Sequence, residues 1–234
     1  MKRITPLQKK SQRLHIGNSL FKRGEHITLL GTTGSGKTTG VRLFLHKYLV
    51  CFPFDSVYIL DNKNEGDFRL FESEADIEDG DDAPLHQPQR QIQIWRPVMD
   101  DKKEISAWLE HILRTEHNAL VIVDELSTVT GSNVRTMPDG YPKIMKQARG
   151  KGITVISLTQ EAAFIPRQTL GMTTHIFRFF LQDIYDRQKT SRMFEMARKD
   201  DNPFAPYGLF VKKKGDRSTA KEYNDIKEVL SIHS

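Results

Sequence analysis

Apolar residues recur along this chain in short blocks, separated by longer stretches in which they return every three or four positions, the pattern of strands alternating with helices. The first block, 26–31, is followed by a stretch, 37–49, whose apolar Val41, Leu43, Phe44, Leu45 and Tyr48 predict a helix. A β-rich run at 56–61 closes on an aspartate. An alternating strand is predicted over 91–95, and Asp100 is placed to cap a helix reaching about residue 116. The blocks 120–123 and 153–158 are apolar without alternation, as suits strands covered on both faces. Further signals predict a helix over 141–151, a strand over 175–181, a helix over 184–199 and an edge strand over 207–211 that runs into an exposed Lys212-Lys213-Lys214-Gly215. Strands separated by helices, with the central strands buried, predict an α/β fold: a mostly parallel central sheet flanked by helices.

Composition sharpens this picture only in places. With 234 residues, 38% hydrophobic and 28% charged, the chain reads as one globular domain over 1–234. A basic segment at 1–24, an acidic surface loop at 72–90 and a C-terminal extension at 201–234 are its peripheral parts. The net charge of +5 is unevenly spread: residues 1–50 carry ten Lys or Arg against the single acid Glu25. The stretch 72–82 reverses this, with Glu72, Glu74, Asp76, Glu78, Asp79, Asp81 and Asp82, and reads as a solvated loop. A basic chain is compatible with a polyanionic partner. The lone Cys51 excludes an internal disulfide and a cysteine-clustered metal site, and after an apolar helical run it reads as a small core side chain. No apolar run approaches the roughly 18 residues of a membrane span, and the start lacks the apolar block of a signal peptide, so a soluble, intracellular protein is expected.

Candidate chemistry enters with Gly31-Thr32-Thr33-Gly34-Ser35-Gly36-Lys37-Thr38, which fits the P-loop pattern G-x-x-x-x-G-K-[ST] between a predicted strand and a predicted helix. Such a loop turns backbone N–H groups and a helix N-terminus toward phosphates, so residues 31–38 together with Thr39 are the expected nucleotide-binding residues. Lys37 is expected on the β- and γ-phosphates of ATP and the Thr38 hydroxyl on Mg2+. The second element, Leu120-Val121-Ile122-Val123-Asp124-Glu125, closes a strand on two carboxylates. Asp124 is the expected partner of the magnesium shell and Glu125 the base for a water. The third is Gln147-Ala148-Arg149-Gly150-Lys151-Gly152 followed by a strand ending on Thr159-Gln160. Gln160 is the candidate γ-phosphate sensor. Arg149 is either an arginine finger for a neighbouring copy's site or a helix C-terminal arginine favoured by the dipole.

These three segments resemble the FtsK/HerA superfamily of DNA-translocating ATPases, and within it the genome-packaging ATPases of membrane-containing icosahedral viruses. The likeness spans roughly residues 25–195. It implies a RecA-like P-loop NTPase fold of the ASCE type and a homo-oligomeric ring, a hexamer favoured over a pentamer, around double-stranded DNA. It also implies ATP hydrolysis coupled to packaging a viral genome into a preformed capsid, a capsid-vertex or viral membrane protein as docking partner, and a location in the host cytoplasm or the virion. Asp61-Asn62-Lys63-Asn64-Glu65 is similar to an Asp-x-Lys-x-Glu stretch of relatives, or is a polar strand-end turn. Arg178 and Arg187 compete with Arg149 for the finger. Loops 132–143, with Asn133, Arg135 and Lys143, and 212–214 are candidate DNA contacts. Two other readings stand beside the motor: a P-loop kinase, and a nucleotide-dependent assembly or secretion factor of a phage.

Overall fold

Val, Ile and Leu fill the short blocks, and in the computed structural model those blocks are the strands of one sheet. The structure describes residues 13–80, 82–86, 89–98, 101–130, 137–162, 165–194, 202–203, 207–215 and 220–231. A small hairpin of β1 (His15–Ile16) and β2 (Ser19–Leu20) precedes β3 (His26–Leu30) and α1 (Lys37–Cys51). Next come β4 (Ser56–Leu60), a 3-10 turn (Arg69–Glu74), β5 (Ala75–Asp79), β6 (Ile92–Arg96) and α2 (Lys102–Thr115). Then β7 (Ala119–Val123), α3 (Leu126–Thr130) and α4 (Gly140–Gln147) lead through a 3-10 turn (Ala148–Lys151) to β8 (Thr154–Thr159). The chain goes on with α5 (Arg167–Met172), β9 (Thr173–Arg178), α6 (Ile184–Phe194), β10 (Leu209–Lys213), β11 (Lys221–Tyr223) and α7 (Ile226–Val229).

Nine strands form the main sheet in the order β11-β10-β9-β3-β8-β7-β4-β6-β5. Pairing is parallel from β9 through β5, and β10 is antiparallel to both its neighbours. Alternate side chains of each strand point to opposite faces. Ile27, Leu29, Val57, Ile59, Leu120 and Ile122 pack on one side with Phe44, Leu45 and Tyr48 of α1 and Ile226 of α7. Tyr58, Leu60, Val121, Val123 and Val155 pack on the other with Trp108, Leu109 and Ile112 of α2 and Ile144 of α4. Burial of both faces is why these strands read as continuous apolar blocks. It also settles the fold class as the α/β fold expected, a mostly parallel sheet with helices on both sides.

Four local expectations are corrected. The stretch 72–82 is not simply a loop: it holds the end of a 3-10 turn, with Glu74 exposed, and β5, the edge strand, whose Ala75 is buried, Asp76 and Glu78 half-buried and Asp79 exposed. Its charge concealed a strand with only one buried contact face, and such outward carboxylates discourage pairing at a sheet edge. The cap of α2 is Asp101, whose Oδ1 accepts from Lys103 N at 2.7 Å; Asp100 lies outside the described residues. The strand expected over 207–211 is β10, and it is not an edge, because β11 pairs with it. Lys212 is accordingly buried, Lys213 is half-buried beside Glu25 (3.5 Å), and Lys214 and Gly215 alone of that run are exposed. Residues 1–12, 131–136 with Asn133 and Arg135, and 195–199 of the expected helix lie outside the described residues. Among the described residues no helix is long and apolar enough to cross a membrane.

Candidate active site

Parallel strands put their carboxyl ends along one rim of the sheet, and β3, β8 and β7 are consecutive neighbours there. The loop 31–36 leaves β3, Asp124 and Glu125 leave β7, and Gln160 leaves β8, so three segments distant in sequence converge on the rim where α/β sheets bind ligands.

The loop is tied to the sheet by Gly31 N donating to Thr159 O (3.2 Å) and Thr32 N to Phe180 O (2.9 Å). A Cβ on Gly31 would stand 2.5 Å from Ser35 Oγ and 2.7 Å from Phe179 Cβ, so the loop closes only on glycine. Gly36, at φ 100°, makes the left-handed turn that starts α1, whose first turn has neither a side-chain cap nor an acidic residue. Its backbone donors therefore remain for an anion. Gly34, Thr33 and Thr39 are exposed, and the buried Ser35 Oγ has no hydrogen-bond partner among the described residues. Lys37 is buried, its Nζ donating to Gly31 O and, at 2.9 Å, to Thr32 O. Burial, aided by the Lys63 charge and opposed by Glu125, Asp124 and Asp67, lowers its pKa to about 8. Thr33 Oγ1 donates to Gln160 Oε1 at 2.9 Å, which sets the sensor candidate directly against the loop.

Asp124 is fully buried and neither carboxylate oxygen has a hydrogen-bond partner among the described residues. Burial, opposed by Lys63 and reinforced by Asp61, Asp67 and Glu125, pushes its pKa up to about 8. A buried, unsatisfied carboxylate is costly unless a cation meets it. Together with the Thr38 hydroxyl it offers the oxygen donors that a hard divalent cation takes. Among the described residues no three His, Cys, Asp or Glu side chains cluster as a metal cage. Glu125 is held differently: Oε1 accepts from Ser127 Oγ (2.6 Å) and Ser127 N (3.3 Å), and Oε2 lies 3.3 Å from Lys63 Nζ.

Sequence reasoning left Lys63 without a role and passed over Asp67. The turn 61–64 is built to present Lys63. Buried Asp61 accepts from Arg96 Nε (3.0 Å) and Asn64 N (3.2 Å), Asn64 takes φ 49°, and Asn62 Nδ2 donates to Thr128 Oγ1 (2.5 Å). An Asp, a Lys and an Asn with left-handed tendency after a buried strand were the available signal. Arg149 is not brought to this site. It is exposed at the opposite rim, just before β8, where its backbone packs on Gly24. Arg178 is fully buried, 5.5 Å from the Phe210 ring and 3.4 Å from Ser191 Oγ, so it does not project from the chain as a finger must. Arg187 is half-buried on α6. Beside the loop an open cleft of ≈ 940 Å³ is lined by Thr32, Thr33, Gln160, Gln182, Tyr185 and Asp186.

No protein-family model matches the sequence, and no curated protein matches it. Solved structures do share its fold. The DNA-packaging ATPase B204 from Sulfolobus Turreted Icosahedral Virus superposes with a TM-score of 0.67 at 12% identity, covering 88% of this chain and 99% of that one. The genome packaging NTPase B204 from Sulfolobus turreted icosahedral virus 2, in complex with AMPPCP, gives 0.66 at 16% identity over 88% and 100%. The pCW3 conjugation coupling protein TcpA with ATPgS gives 0.64 at 15% identity over 93% of this chain and 66% of that one. The chain thus shares the fold of these packaging ATPases and of this coupling protein, the kind of fold its three segments led one to expect.

Proposed function

We propose that this protein is a Mg2+-dependent ATPase that translocates double-stranded DNA, packaging a viral genome into a preformed capsid. The observation that carries the ATPase reading is the meeting, on neighbouring strand ends of one rim, of an uncapped loop-to-helix turn, the buried Lys37 and Asp124, whose carboxylate has no hydrogen-bond partner among the described residues. The packaging reading is supported by fold likeness to a DNA-packaging ATPase over nearly the whole of both chains.

The residues divide the work as follows. Loop N–H groups and Lys37 bind and orient the β- and γ-phosphates. Thr38 and Asp124 would hold Mg2+, which supplies charge neutralisation on the phosphates when bound. Glu125 accepts the proton of the attacking water while ADP leaves, and Gln160 hydrogen-bonds near the γ-phosphate. Arg149 comes from the next copy in a ring of six or five, since in its own chain it lies on the far rim. Lys143, which meets Glu110 at 2.6 Å on the surface, and the exposed Lys214 are the described lysines offered to the DNA backbone. A capsid-vertex or viral membrane protein would anchor the ring.

Glu125→Gln tests the catalytic assignment. It removes the base and keeps the shape, so it should retain ATP binding while lowering turnover at least about 100-fold. Normal turnover in that variant would remove Glu125 from the mechanism.

A further inference from the structure

Asp67 has no part in the mechanism above, yet one of its oxygens meets Thr38, which does. Oδ2 accepts from Thr38 Oγ1 at 3.3 Å, and Oδ1 accepts from Arg42 Nη2 at 3.0 Å. Thr38 and Arg42 are four residues apart on α1, hence on one face of the helix. The carboxylate, carried on the loop after β4, is thus pinned to that face at two points one turn apart. Gly66 (φ 77°) makes the turn that delivers it, and a Cβ there would meet Arg69 Nε at 2.5 Å.

A hydroxyl has one proton and two acceptor positions. When it ligates a cation through a lone pair, its proton must point elsewhere, and an ionised acceptor holds that proton better than a neutral one. Asp67 is that acceptor here. We propose that Asp67 is a positioning residue for the divalent cation: by taking the Thr38 proton it turns the hydroxyl lone pairs toward the cation and so sets the affinity for Mg2+. Partners one step removed from a metal act in this way on its ligands. The inference rests on the reading of Thr38 and Asp124 as metal ligands.

The test is the Mg2+ concentration that gives half-maximal binding of a fluorescent, non-hydrolysable ATP analogue, with binding in excess EDTA as the control for an intact fold. Asp67→Ala should raise that concentration about ten- to hundred-fold while leaving binding in EDTA unchanged. Asp67→Asn, which keeps the shape and loses the charge, should shift in the same direction. In a Thr38→Ala background, adding Asp67→Ala should change the Mg2+ requirement less than about threefold, because the two act through one hydrogen bond. An unchanged Mg2+ requirement in both Asp67 variants overturns the proposal. So do fully multiplicative effects in the double variant, which would reduce Asp67 to an anchor for Arg42. Wild-type protein that binds the analogue equally well with and without Mg2+ overturns the metal site itself, an outcome seen before any variant is compared.

Discussion

At the scale of single residues, the site is built by removing ordinary options. Gly31 has no room for a methyl group; among the described residues Asp124 has no hydrogen-bond partner, and the buried Lys37 has only loop carbonyls for its ammonium. Each is costly alone and tolerable together if an anion and a dication complete the set. Gly31→Ala should show the cost directly. Its Cβ would push on Ser35 Oγ and Phe179 Cβ, so the variant should lose about 1–3 kcal/mol of stability in a denaturant titration and bind nucleotide more weakly. A variant as stable as the wild type with unchanged nucleotide binding would refute the tight closure. Lys37, Thr38, Asp124, Glu125 and Gln160 were legible because their residue types sit at fixed offsets from strand ends. Asp67 was not, because nothing in its own neighbourhood shows that a loop 29 positions after Thr38 returns to its hydroxyl.

Among the elements, β3, β8 and β7 matter most, and His26 at the start of β3 helps hold two of them together. Its ring is buried: Nδ1 accepts from Val155 N on β8 (3.1 Å), which leaves Nε2–H to donate to Met145 O on α4 (3.1 Å). Burial, aided by the Arg149 charge and opposed by the Met145 bond, lowers its pKa to about 4 from 6.5. The folded protein thus refuses a proton that the unfolded chain accepts, and stability falls as pH drops from about 6.5 toward 4. The loss is on the order of 3 kcal/mol across that window. Between pH 7 and pH 5 a His26→Gln variant should therefore lose less of its melting temperature than the wild type, by about 4–8 °C. Equal acid sensitivity in the two would show that His26 is not the titrating group. The elements themselves were legible wherever burial on both faces forced an apolar run, as in β3, β7 and β8. They were hidden where tertiary pairing overrode composition. Three of the five residues of β5 are acidic, and it is still a strand because β6 pairs with it; β10 is an interior strand only because the short, exposed β11 lies beside it.

For the whole molecule, the sheet separates charge as well as ordering the site. The acidic β5 is at one edge, while β10 and β11, with Lys212, Lys213 and Lys221, are toward the other. Asp124, Glu125 and Gln160 stand on the carboxyl rim and Arg149 on the opposite one. A copy placed head to tail with the next would bring Arg149 toward a neighbour's phosphates, the arrangement a closed ring repeats. The net charge of +5 is compatible with a polyanion within that ring, held through its backbone and therefore sensitive to salt. The fold class was legible in one sequence, and the residues of the candidate site could be named from it, because both rest on local pattern. The proposed ring and DNA partner would depend on surfaces between molecules, to which no local pattern is bound. The most direct measurement is the steady-state ATPase rate of the purified protein with and without double-stranded DNA, at low and moderate salt, with Glu125→Gln alongside. The account predicts stimulation by DNA that weakens with salt and vanishes in the variant; measurable turnover indifferent to DNA would contradict the translocase.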